Sequence, residues 1–480
     1  MTATPVGLTN HVEQTGISLI PDHERRGRAR DLGWLWAGST LTMQTVLFGS
    51  FLPYLGLSLP QCAVIIAVGN LAWAVVGYAS LQGPAAGTSI FAITRASFGV
   101  RGGRIPAFLN WVTQVLYETL GLSIIALAVI ALFDRAGLPT GGTGQKVGIV
   151  IIAAAVQLVL PLLGHAAIMR AVRWMTIPFL ALFVILTVLT VPHVSTGGAS
   201  GGIVPILGGF ALVLAGGSFG WVVNASDYSR YLPAATPRRG IIAAVSVGGF
   251  LSTTPLMILG AAVASIPDFG GDVISGLTAI FPAWFVVPYL IFVIAQSYGV
   301  NSVDMYSSSL TLQAVGLPLR QWQATSIDCL LSATLTGAVL LSPSFNSAIA
   351  GIVLFVMVWI APWSAIFLTD WALRRHTPGR YHREALFLHG PGPYWGTGGY
   401  RLPALLALLV GAAAGLMCIN TAVYVGPIAK ALGGADLSIP VGFAVGGVLY
   451  WVTARSQIAL ANTTHPFTPH IPTSFSEATA

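Results

Sequence analysis

Residues 84–99 have the sequence Pro-Ala-Ala-Gly-Thr-Ser-Ile-Phe-Ala-Ile-Thr-Arg-Ala-Ser-Phe-Gly and follow the second long apolar stretch of the chain. The segment is polar, is interrupted by proline and glycine, and carries an arginine. Irregular backbone of this kind is tolerated beside a membrane span only where protein or water covers its polar groups. The segment therefore predicts an integral membrane protein with a covered loop between its second and third spans.

The composition of the whole chain also indicates a membrane protein. Of its 480 residues, 55% are hydrophobic and 8% are charged, whereas a soluble domain has about 25% charged residues. A spanning helix needs about 20 mostly apolar residues, and such stretches recur along the chain. We predict an all-α integral membrane protein with 12 transmembrane helices, at 34–55, 60–82, 106–132, 147–164, 172–193, 203–224, 239–265, 284–314, 326–342, 346–371, 402–425 and 438–454.

The net charge of +7 is explained by membrane topology. With the N-terminus inside, all of the 22 Lys and Arg residues except Arg135, Lys146 and Lys430 fall on the cytoplasmic side. Cytoplasmic loops of membrane proteins carry an excess of Lys and Arg. We therefore expect a multi-pass protein of the cytoplasmic (inner) membrane with both termini in the cytoplasm, and no nucleic-acid partner.

Polar tails are predicted at both ends of the membrane domain. Residues 1–33 form a polar cytoplasmic tail that ends in a basic cluster and lacks a cleavable signal peptide. Residues 456–480 form a Thr-, Pro- and Ser-rich tail for which we expect disorder. Cys62, Cys329 and Cys418 are isolated, so neither a disulfide framework nor a thiolate metal cluster is predicted.

The membrane domain, residues 34–455, has similar interruptions in its two halves. Small or polar residues interrupt spans one and six, namely Gly38, Thr40, Thr42, Gln44 and Gly49, and Gly216, Gly217, Ser218 and Gly220. Glycine also permits close helix packing, but Thr and Gln at the same level favour unwound backbone. Discontinuous helices at matching places are typical of inverted-repeat transporters with a site at the membrane midplane. We predict repeats over about 34–193 and 203–371, with accessory helices over about 402–454.

Three segments resemble the nucleobase:cation symporter-1 family, in its purine/cytosine permease branch. Residues 84–99 match its P-x-x-G…R-x-x-F-G loop. Ser226-Asp227-Tyr228-Ser229-Arg230-Tyr231 and Asn301-Ser302-Val303-Asp304-Met305-Tyr306-Ser307 resemble two more of its motifs. The resemblance covers nearly all of residues 30–455. It implies a LeuT-like 5+5 inverted repeat with broken helices 1 and 6, and a carrier that imports cytosine or a purine with a coupling cation.

Span three carries the first candidates for substrate binding. Trp111, Gln114 and Glu118 lie at i, i+3 and i+7 and so share a helix face, with Tyr117 beside it. A planar base needs an aromatic partner, worth about 1–3 kcal/mol of stacking per base, and an amide that offers a donor and an acceptor. Trp111 and Tyr117 could instead be ordinary aromatic residues that pack between helices and do not bind substrate. Gln114 fits packing less well, because an unpaired amide in a span is costly. The resemblance implies that Gln114 binds the base and that Tyr117 stands where relatives carry Trp.

Spans one, six and eight supply the other substrate candidates. The resemblance implies a second aromatic from span six on the opposite face of the base. Phe219 is the first choice and Trp221 the second, next to the unwound turn at Ser218, although either ring could instead seal a helix kink. Asn301 of span eight matches a substrate-binding Asn of the family, and Gln44 of the broken first span completes the set.

A proton is the expected coupling ion. Asp304 lies three residues after Asn301, and a buried carboxylate in a span is costly unless it is paired or protonated. Pairing with Arg95 or Arg230 is the structural alternative, but both arginines are predicted at the cytoplasmic ends of spans. Glu118 is a second carboxylate near the site, and two close carboxylates in a low dielectric favour binding of a proton.

Sodium is the alternative coupling ion. The resemblance implies that sodium-coupled members hold the ion between carbonyls of the broken first span and hydroxyls of span eight. Thr40 and Met43 belong to the stretch that would supply such carbonyls, and Ser297 is the nearest hydroxyl of span eight. Gly299-Val300 departs from the sodium pattern, although a sodium site that uses Asp304 directly stays open.

Three charged residues are assigned structural or gating roles at the cytoplasmic side. They are Arg95 in the loop after span two, and Asp227 and Arg230 at the end of span six. Asp227 and Arg230 lie three residues apart, so an ion pair or a loop anchor explains them.

Other function classes are less consistent with the sequence. It has no His-rich metal box, no Gly-x-Ser-x-Gly elbow and no phosphate-binding Gly-Lys-Ser/Thr, so we predict no catalytic residue, no metal site and no organic cofactor. Channels usually show filter rings or charged pore stretches. We expect a symporter of a nucleobase, with a sodium-coupled carrier of allantoin, hydantoin, uracil or a thiamine-type pyrimidine as the alternative. The pattern leaves the choice of base and the oligomeric state open.

Overall fold

The computed structural model describes residues 16–195, 200–266, 277–278, 280–341, 345–374, 380–421 and 423–464. Within these ranges the chain is helical, and extended pairing is confined to the isolated bridges Thr397–Tyr400 and Asn420–Val425. The predicted all-α architecture is confirmed. Parts of the two predicted tails, residues 1–15 and 465–480, lie outside the described residues.

The first half of the chain contains helices of very different length. They are α1 (Ala29–Thr40), α2 (Met43–Ser50), α3 (Leu59–Asn70), α4 (Trp73–Ala79), α5 (Gln82–Ala86), α6 (Ile90–Ile93), α7 (Arg95–Phe98), α8 (Arg104–Arg135), α9 (Thr143–Gln157), α10 (Val159–Leu163) and α11 (His165–Thr190). Single 3-10 turns occur at Asp22–Glu24, Pro53–Leu55 and Val191–His193.

The second half begins with a helix that changes type along its length. It runs from α12 (Ile203–Val213) through a π-helical turn (Leu214–Ser218) and a 3-10 stretch (Phe219–Asn224) into α13 (Ala225–Ser229). The remaining helices are α14 (Arg238–Ala264), α15 (Ala283–Ala314), α16 (Gln321–Leu340), α17 (Phe345–Leu373), α18 (Leu402–Cys418), α19 (Pro427–Ala431) and α20 (Ser438–Thr464), with a 3-10 turn at Glu384–Phe387.

Eight of the described helical stretches are long and apolar enough to cross a bilayer. They are Leu59–Ala86, Arg104–Arg135, Thr143–Leu163, His165–His193, Ile203–Ser229, Arg238–Ala264, Ala283–Ala314 and Leu354–Leu373. Their outward faces expose large apolar side chains such as Ile152, Val188 and Leu251. Side chains of this kind suit contact with lipid, and the protein is a multi-pass membrane protein.

The first predicted span is interrupted where the sequence indicates. Helix α1 ends at Thr40 and α2 begins at Met43. The Thr45 backbone N–H donates to Thr42 Oγ1 (3.2 Å), and the Thr45 hydroxyl donates to the Thr40 carbonyl (2.8 Å). These threonines satisfy backbone groups that the interruption frees, which is what buried irregular backbone requires.

The sixth predicted span is distorted instead of fully unwound. Its π-helical and 3-10 turns cover the glycine-rich segment that the sequence singles out, and such turns inside helices are frequent at functional sites. A Cβ built on Gly216 would lie 2.5 Å from the ring of Phe48 on α2. Glycine at this position therefore lets the distorted turn approach the second half of the first span.

Helices α8 and α15, of 32 residues each, pack along one another through the centre of the protein. A Cβ built on Gly121 would lie 1.9 Å from Asn301 Oδ1, so glycine permits this close approach. Helices α17, α18 and α20 pack together in a separate group. The centre of the protein is thus built from α2, α8, α15 and the distorted sixth span.

The loop of residues 84–99 is buried by protein, as its composition predicts. Asp227 Oδ1 accepts the backbone N–H of Ile90 (2.8 Å), which anchors the start of α6. Arg95 donates to the Leu386 carbonyl (3.2 Å). These contacts fasten the loop to α13 and to the segment before α18.

Candidate functional site

A cavity lies where the interrupted first span, the distorted sixth span, α8 and α15 meet. The volume that a water-sized sphere can reach inside it is about 30 Å³. The lining residues are Thr42, Gln44, Thr45, Phe48, Gln114, Tyr117, Ala215, Gly216, Gly220, Trp221, Asn224, Val300 and Asp304. Five residues predicted from the sequence therefore meet here: Gln44, Gln114, Tyr117, Trp221 and Asp304.

The polar groups in the cavity wall are only partly satisfied by the protein. Gln114 Nε2 donates to Asn224 Oδ1 (3.1 Å). Gln44 Oε1, Asn224 Nδ2 and the Tyr117 hydroxyl are buried and have no hydrogen-bond partner among the described residues. Because a buried unpaired polar atom costs about 1–3 kcal/mol, these groups are suited to a ligand that supplies both donors and acceptors.

Three aromatic residues line the cavity, namely Phe48, Tyr117 and Trp221. Trp221 is half-buried and packs edge-on against Trp36, with ring centroids 5.6 Å apart and planes at 69°. Phe219, the first choice from the sequence, is turned away from the cavity. Its ring packs edge-on against Phe443 of α20 at 5.9 Å. Phe219 and Trp221 are two residues apart and therefore lie on different sides of the helix, so they face different surroundings.

Three other predicted substrate residues lie outside the cavity wall. Ser218 Oγ donates to the Gly69 carbonyl (3.2 Å). Asn301 Nδ2 donates to the Glu118 carbonyl and to Gln157 Oε1, both at 3.1 Å, so this amide joins α15 to α8 and α9.

Trp111 is the third of these residues. It is half-buried, and its indole Nε1 donates to Asp328 Oδ1 of α16 at 2.6 Å. This contact directs the ring toward α16 and away from the residues that line the cavity.

The two predicted carboxylates occupy different positions. Asp304 lines the cavity and is 4% exposed. Glu118 is fully buried behind the cavity wall and faces both Asp304 and Asp328. Arg95 and Arg230, the alternative partners of Asp304, bind elsewhere: Arg95 to the Leu386 carbonyl, and Arg230 to the Gly16 carbonyl (2.7 Å) and the Tyr306 hydroxyl (2.9 Å).

The predicted ion-site residues lie at the contact between the first and eighth spans. Gln296 Oε1 accepts the backbone N–H of Met43 (3.0 Å), and Gln296 Nε2 donates to Ser297 Oγ (3.3 Å). The Thr40 hydroxyl donates to the Trp36 carbonyl and contacts Ser252 Oγ, each at 2.5 Å. A neutral amide therefore occupies this contact. No group of three or more His, Cys, Asp or Glu is arranged to hold a metal in the part of the chain that the structure describes.

Asn224, Asp328 and Gln296 are the main residues that sequence reasoning missed. Asp328 lies inside the predicted ninth span, and an ionisable residue within a span is by itself a sign of function or pairing. That sign was available in the sequence. Asn224 and Gln296 are weaker indications of a functional site, because amide side chains in spans also form hydrogen bonds between packed helices.

Comparison with protein families gives one match that spans most of the chain. Residues 19–442 match the family described as "Permease for cytosine/purines, uracil, thiamine, allantoin". The protein named "Putative purine-cytosine permease YxlA" of Bacillus subtilis (strain 168) is 30% identical over 464 residues, which is 93% of this chain and 97% of that protein.

Solved structures share the fold. Mhp1, a nucleobase-cation-symport-1 family transporter, in a closed conformation with bromovinylhydantoin bound, has a TM-score of 0.75 at 17% identity, covering 94% of this chain and 97% of Mhp1. The inward-facing conformation of Mhp1 has a TM-score of 0.70 at 17% identity, covering 95% of this chain and 94% of that one. The closed conformation thus gives the higher of these two scores.

Proposed function

Because the chain belongs to the nucleobase:cation symporter-1 family of permeases for cytosine/purines, uracil, thiamine and allantoin, and is a transporter and not an enzyme, we propose that it imports cytosine or a purine together with a proton. The single observation that carries the proposal is the buried cavity of Gln44, Gln114, Tyr117, Trp221 and Asn224, with its unpaired donors and acceptors. A neutral planar base that has hydrogen-bonding atoms on its edge complements such a wall.

The proposed architecture is the 5+5 inverted repeat with 12 spans. The repeats cover about 34–193 and 203–371, residues 402–454 are accessory, and both termini lie on the cytoplasmic side of the inner membrane. The Mhp1-like fold and the matching interruptions of the first and sixth spans support this architecture. Alternating access would then move one group of helices against the other around a fixed midplane site.

The proposed binding mode places the base against the Trp221 ring. Stacking on an aromatic ring is worth about 1–3 kcal/mol per base. The Gln114 side chain, fixed by Asn224, and the free oxygen of Gln44 would pair with the edge of the base. Tyr117 contributes a hydroxyl, which both donates and accepts.

The first- and eighth-span contact supports proton coupling over sodium coupling. A sodium ion needs several oxygen ligands directed at one point. Here the Gln296 amide already binds the Met43 N–H and Ser297 Oγ, and its NH₂ group is a donor that a cation does not accept as a ligand. Asp304 in the cavity wall is a carboxylate that a proton can neutralise while substrate is bound.

The test is uptake of labelled cytosine into proteoliposomes that contain the purified protein. Unlabelled cytosine, adenine, hypoxanthine, uracil and allantoin serve as competitors, and a proton gradient and a sodium gradient are applied separately. We expect uptake that is driven by the proton gradient and is inhibited by cytosine or purines.

Three other outcomes of the uptake experiment would each contradict one part of the proposal, namely the coupling ion, the kind of heterocycle or the substrate class. Uptake driven only by sodium would overturn proton coupling and favour an ion site at the first- and eighth-span contact. Competition by allantoin or uracil alone would support the alternative of a related heterocycle. Absence of competition by all five compounds would overturn the substrate assignment.

A further inference from the structure

Asp328 forms the centre of a second polar cluster, outside the cavity wall. It is fully buried, and its Oδ1 accepts the indole N–H of Trp111 at 2.6 Å. Its Oδ2 has no hydrogen-bond partner among the described residues. One half of this carboxyl group is therefore held by the Trp111 indole, and the other half accepts no hydrogen bond from a backbone N–H, an amide or a cationic side chain among the described residues.

Glu118 on α8 faces this carboxyl group. Glu118 is fully buried, and neither of its oxygens accepts a hydrogen bond from a backbone N–H, an amide or a cationic side chain within the described residues. Ser308 of α15 lies beside both carboxyl groups, and its hydroxyl is fully buried with no other partner there. Two carboxyl groups and one hydroxyl thus converge from α8, α15 and α16.

No compensating positive charge faces this cluster in the described parts of the chain. The charged side chains that act on Glu118 are Asp328 and Asp304, and both are acidic. On the side of α9 lies Gln157, whose amide donates to Cys329 Sγ (3.6 Å) and Ser332 Oγ (3.4 Å). The surroundings on every packed helix are therefore neutral or acidic.

Two buried carboxylates without a cation cannot both stay ionised at low cost. The effective penalty of burying one ion is several kcal/mol, and like charges at short range add repulsion. A proton shared between the two groups removes one charge and supplies a hydrogen-bond donor, so the pair binds and releases protons as a unit.

We propose that Glu118 and Asp328 form a proton-binding site separate from the substrate cavity, with Trp111 as the residue that positions Asp328. The site connects to the cavity through neighbouring positions, since Glu118 follows Tyr117 on α8, and Ser308 lies four residues after Asp304 on α15. A proton from one side of the membrane converts one carboxylate to a carboxylic acid, and its release to the other side restores the carboxylate. The role of this proton in coupling rests on the proposed function.

The first experiment separates coupling from transport. Glu118→Gln and Asp328→Asn are compared with wild type in proteoliposomes, with Asp134→Asn as the control. Asp134 is an exposed acid near the end of the same helix. We expect both cluster variants to exchange labelled cytosine for unlabelled cytosine but to lose accumulation driven by a proton gradient. The control should keep both activities.

The second experiment does not depend on the substrate. Infrared difference spectra of the purified protein between acidic and alkaline pH report the carbonyl stretch of protonated buried carboxyl groups. Wild type and Asp134→Asn should show a titrating band that is lost in Glu118→Gln and in Asp328→Asn. Trp111→Phe should shift the band, because the indole donor no longer holds Asp328.

The outcomes distinguish the two proposals. If wild type transports none of the tested bases but the band is present and depends on both residues, the proton site stands and the substrate assignment fails. A band that is unchanged in both variants, or full proton-driven accumulation in both, would overturn the proton site. Glu118→Asp and Asp328→Glu keep a carboxyl group, and partial recovery of accumulation in these variants would exclude a loss caused by misfolding.

Discussion

Helix α8 presents polar side chains on two faces, one toward the cavity and one toward α15 and α16. Gln114 and Tyr117 face the cavity, whereas Trp111 and Glu118 face α15 and α16. At 3.6 residues per turn, Trp111 and Glu118 are about 20° apart around the helix and Tyr117 is about 100° from Glu118. The sequence predicts these four residues on or beside one face of the helix. Their angular spread is wide enough that they belong to two separate polar sites.

The two faces differ in what each leaves unsatisfied. On the cavity face, the groups without hydrogen-bond partners among the described residues are neutral. They belong to Tyr117 and to the neighbouring Gln44 and Asn224, and a neutral ligand can satisfy them. The adjacent face leaves carboxyl oxygens of Glu118 and Asp328 without a hydrogen-bond partner among the described residues, and a proton can neutralise them. The comparison shows that the kind of ligand suited to each face follows from the chemistry of its unpaired polar atoms. The spacing of the residues along the sequence does not indicate it.

Gln114→Ala should have the largest effect on the cavity face. It removes the amide that we propose binds the base edge and leaves Asn224 Oδ1 without its donor. Affinity for the base should therefore fall by about 100-fold, as expected for two lost buried hydrogen bonds. Competition binding with the purified protein measures this loss. The double variant with Asn224→Ala should lose less than the sum of the single variants, because the two side chains act together. Strict additivity would contradict the contact.

Replacing the two span-six aromatics separately tests which ring faces the ligand. Trp221→Ala should raise the KM for uptake by about 10- to 100-fold, since stacking is worth about 1–3 kcal/mol and 1.4 kcal/mol is a factor of ten. Phe219→Ala should change KM by less than about threefold, because its ring packs on Phe443 and is not part of the stacking contact. A larger KM increase in Phe219→Ala than in Trp221→Ala would show that Phe219 contacts the substrate.

Trp111→Phe distinguishes a positioning role from a stacking role. Phe keeps an aromatic ring but cannot donate to Asp328, so the expected result is an unchanged KM and a shifted pH profile of uptake. Proton-driven accumulation should fall by about two- to tenfold, the range for the loss of one hydrogen bond worth about 0.5–1.5 kcal/mol. A KM increase with an unchanged pH profile would instead identify Trp111 as a residue that stacks on the base.

Tyr117→Phe should have the smallest effect of the series. It removes one unpaired hydroxyl and keeps the ring, so KM should rise by about threefold to tenfold, which corresponds to one neutral hydrogen bond. Proton-driven accumulation relative to equilibrium should be unchanged, because Tyr117 lies on the cavity face. A loss of accumulation in this variant would show that the two faces are not independent.

Local features of the sequence predicted much of the fold. Some long apolar stretches give helices close to the expected spans, as in 239–265 against Arg238–Ala264 and 284–314 against Ala283–Ala314. Others differ by seven to ten residues at one end, as in 172–193 against His165–Thr190, 402–425 against Leu402–Cys418 and 438–454 against Ser438–Thr464. The polar interruption at Thr40 and Thr42 marks the end of α1 and the start of α2. These features follow from the cost of exposing polar backbone in a bilayer, which acts on each segment separately.

Side-chain direction within the spans was harder to predict. Gln44, Gln114, Tyr117, Trp221 and Asp304 line one cavity as a set, whereas Phe219 and Asn301 point elsewhere. The family resemblance predicted that an aromatic residue of span six binds the base, and both Phe219 and Trp221 fitted that prediction. The resemblance did not predict the local helix geometry, which determines where each ring points. A π-helical turn followed by a 3-10 turn changes the angular position of every later residue, and sequence spacing assumes a regular α-helix.

The sequence by itself determined that this protein is an all-helical membrane transporter of a known family, because apolar length, charge distribution and short motifs are local properties of the chain. Only the tertiary structure decided that Asn224 fixes Gln114, that Gln296 occupies the contact with Met43, and that Asp328 faces Glu118. Each of these contacts joins residues that are far apart in sequence, and their proximity depends on how the helices pack and rotate against one another.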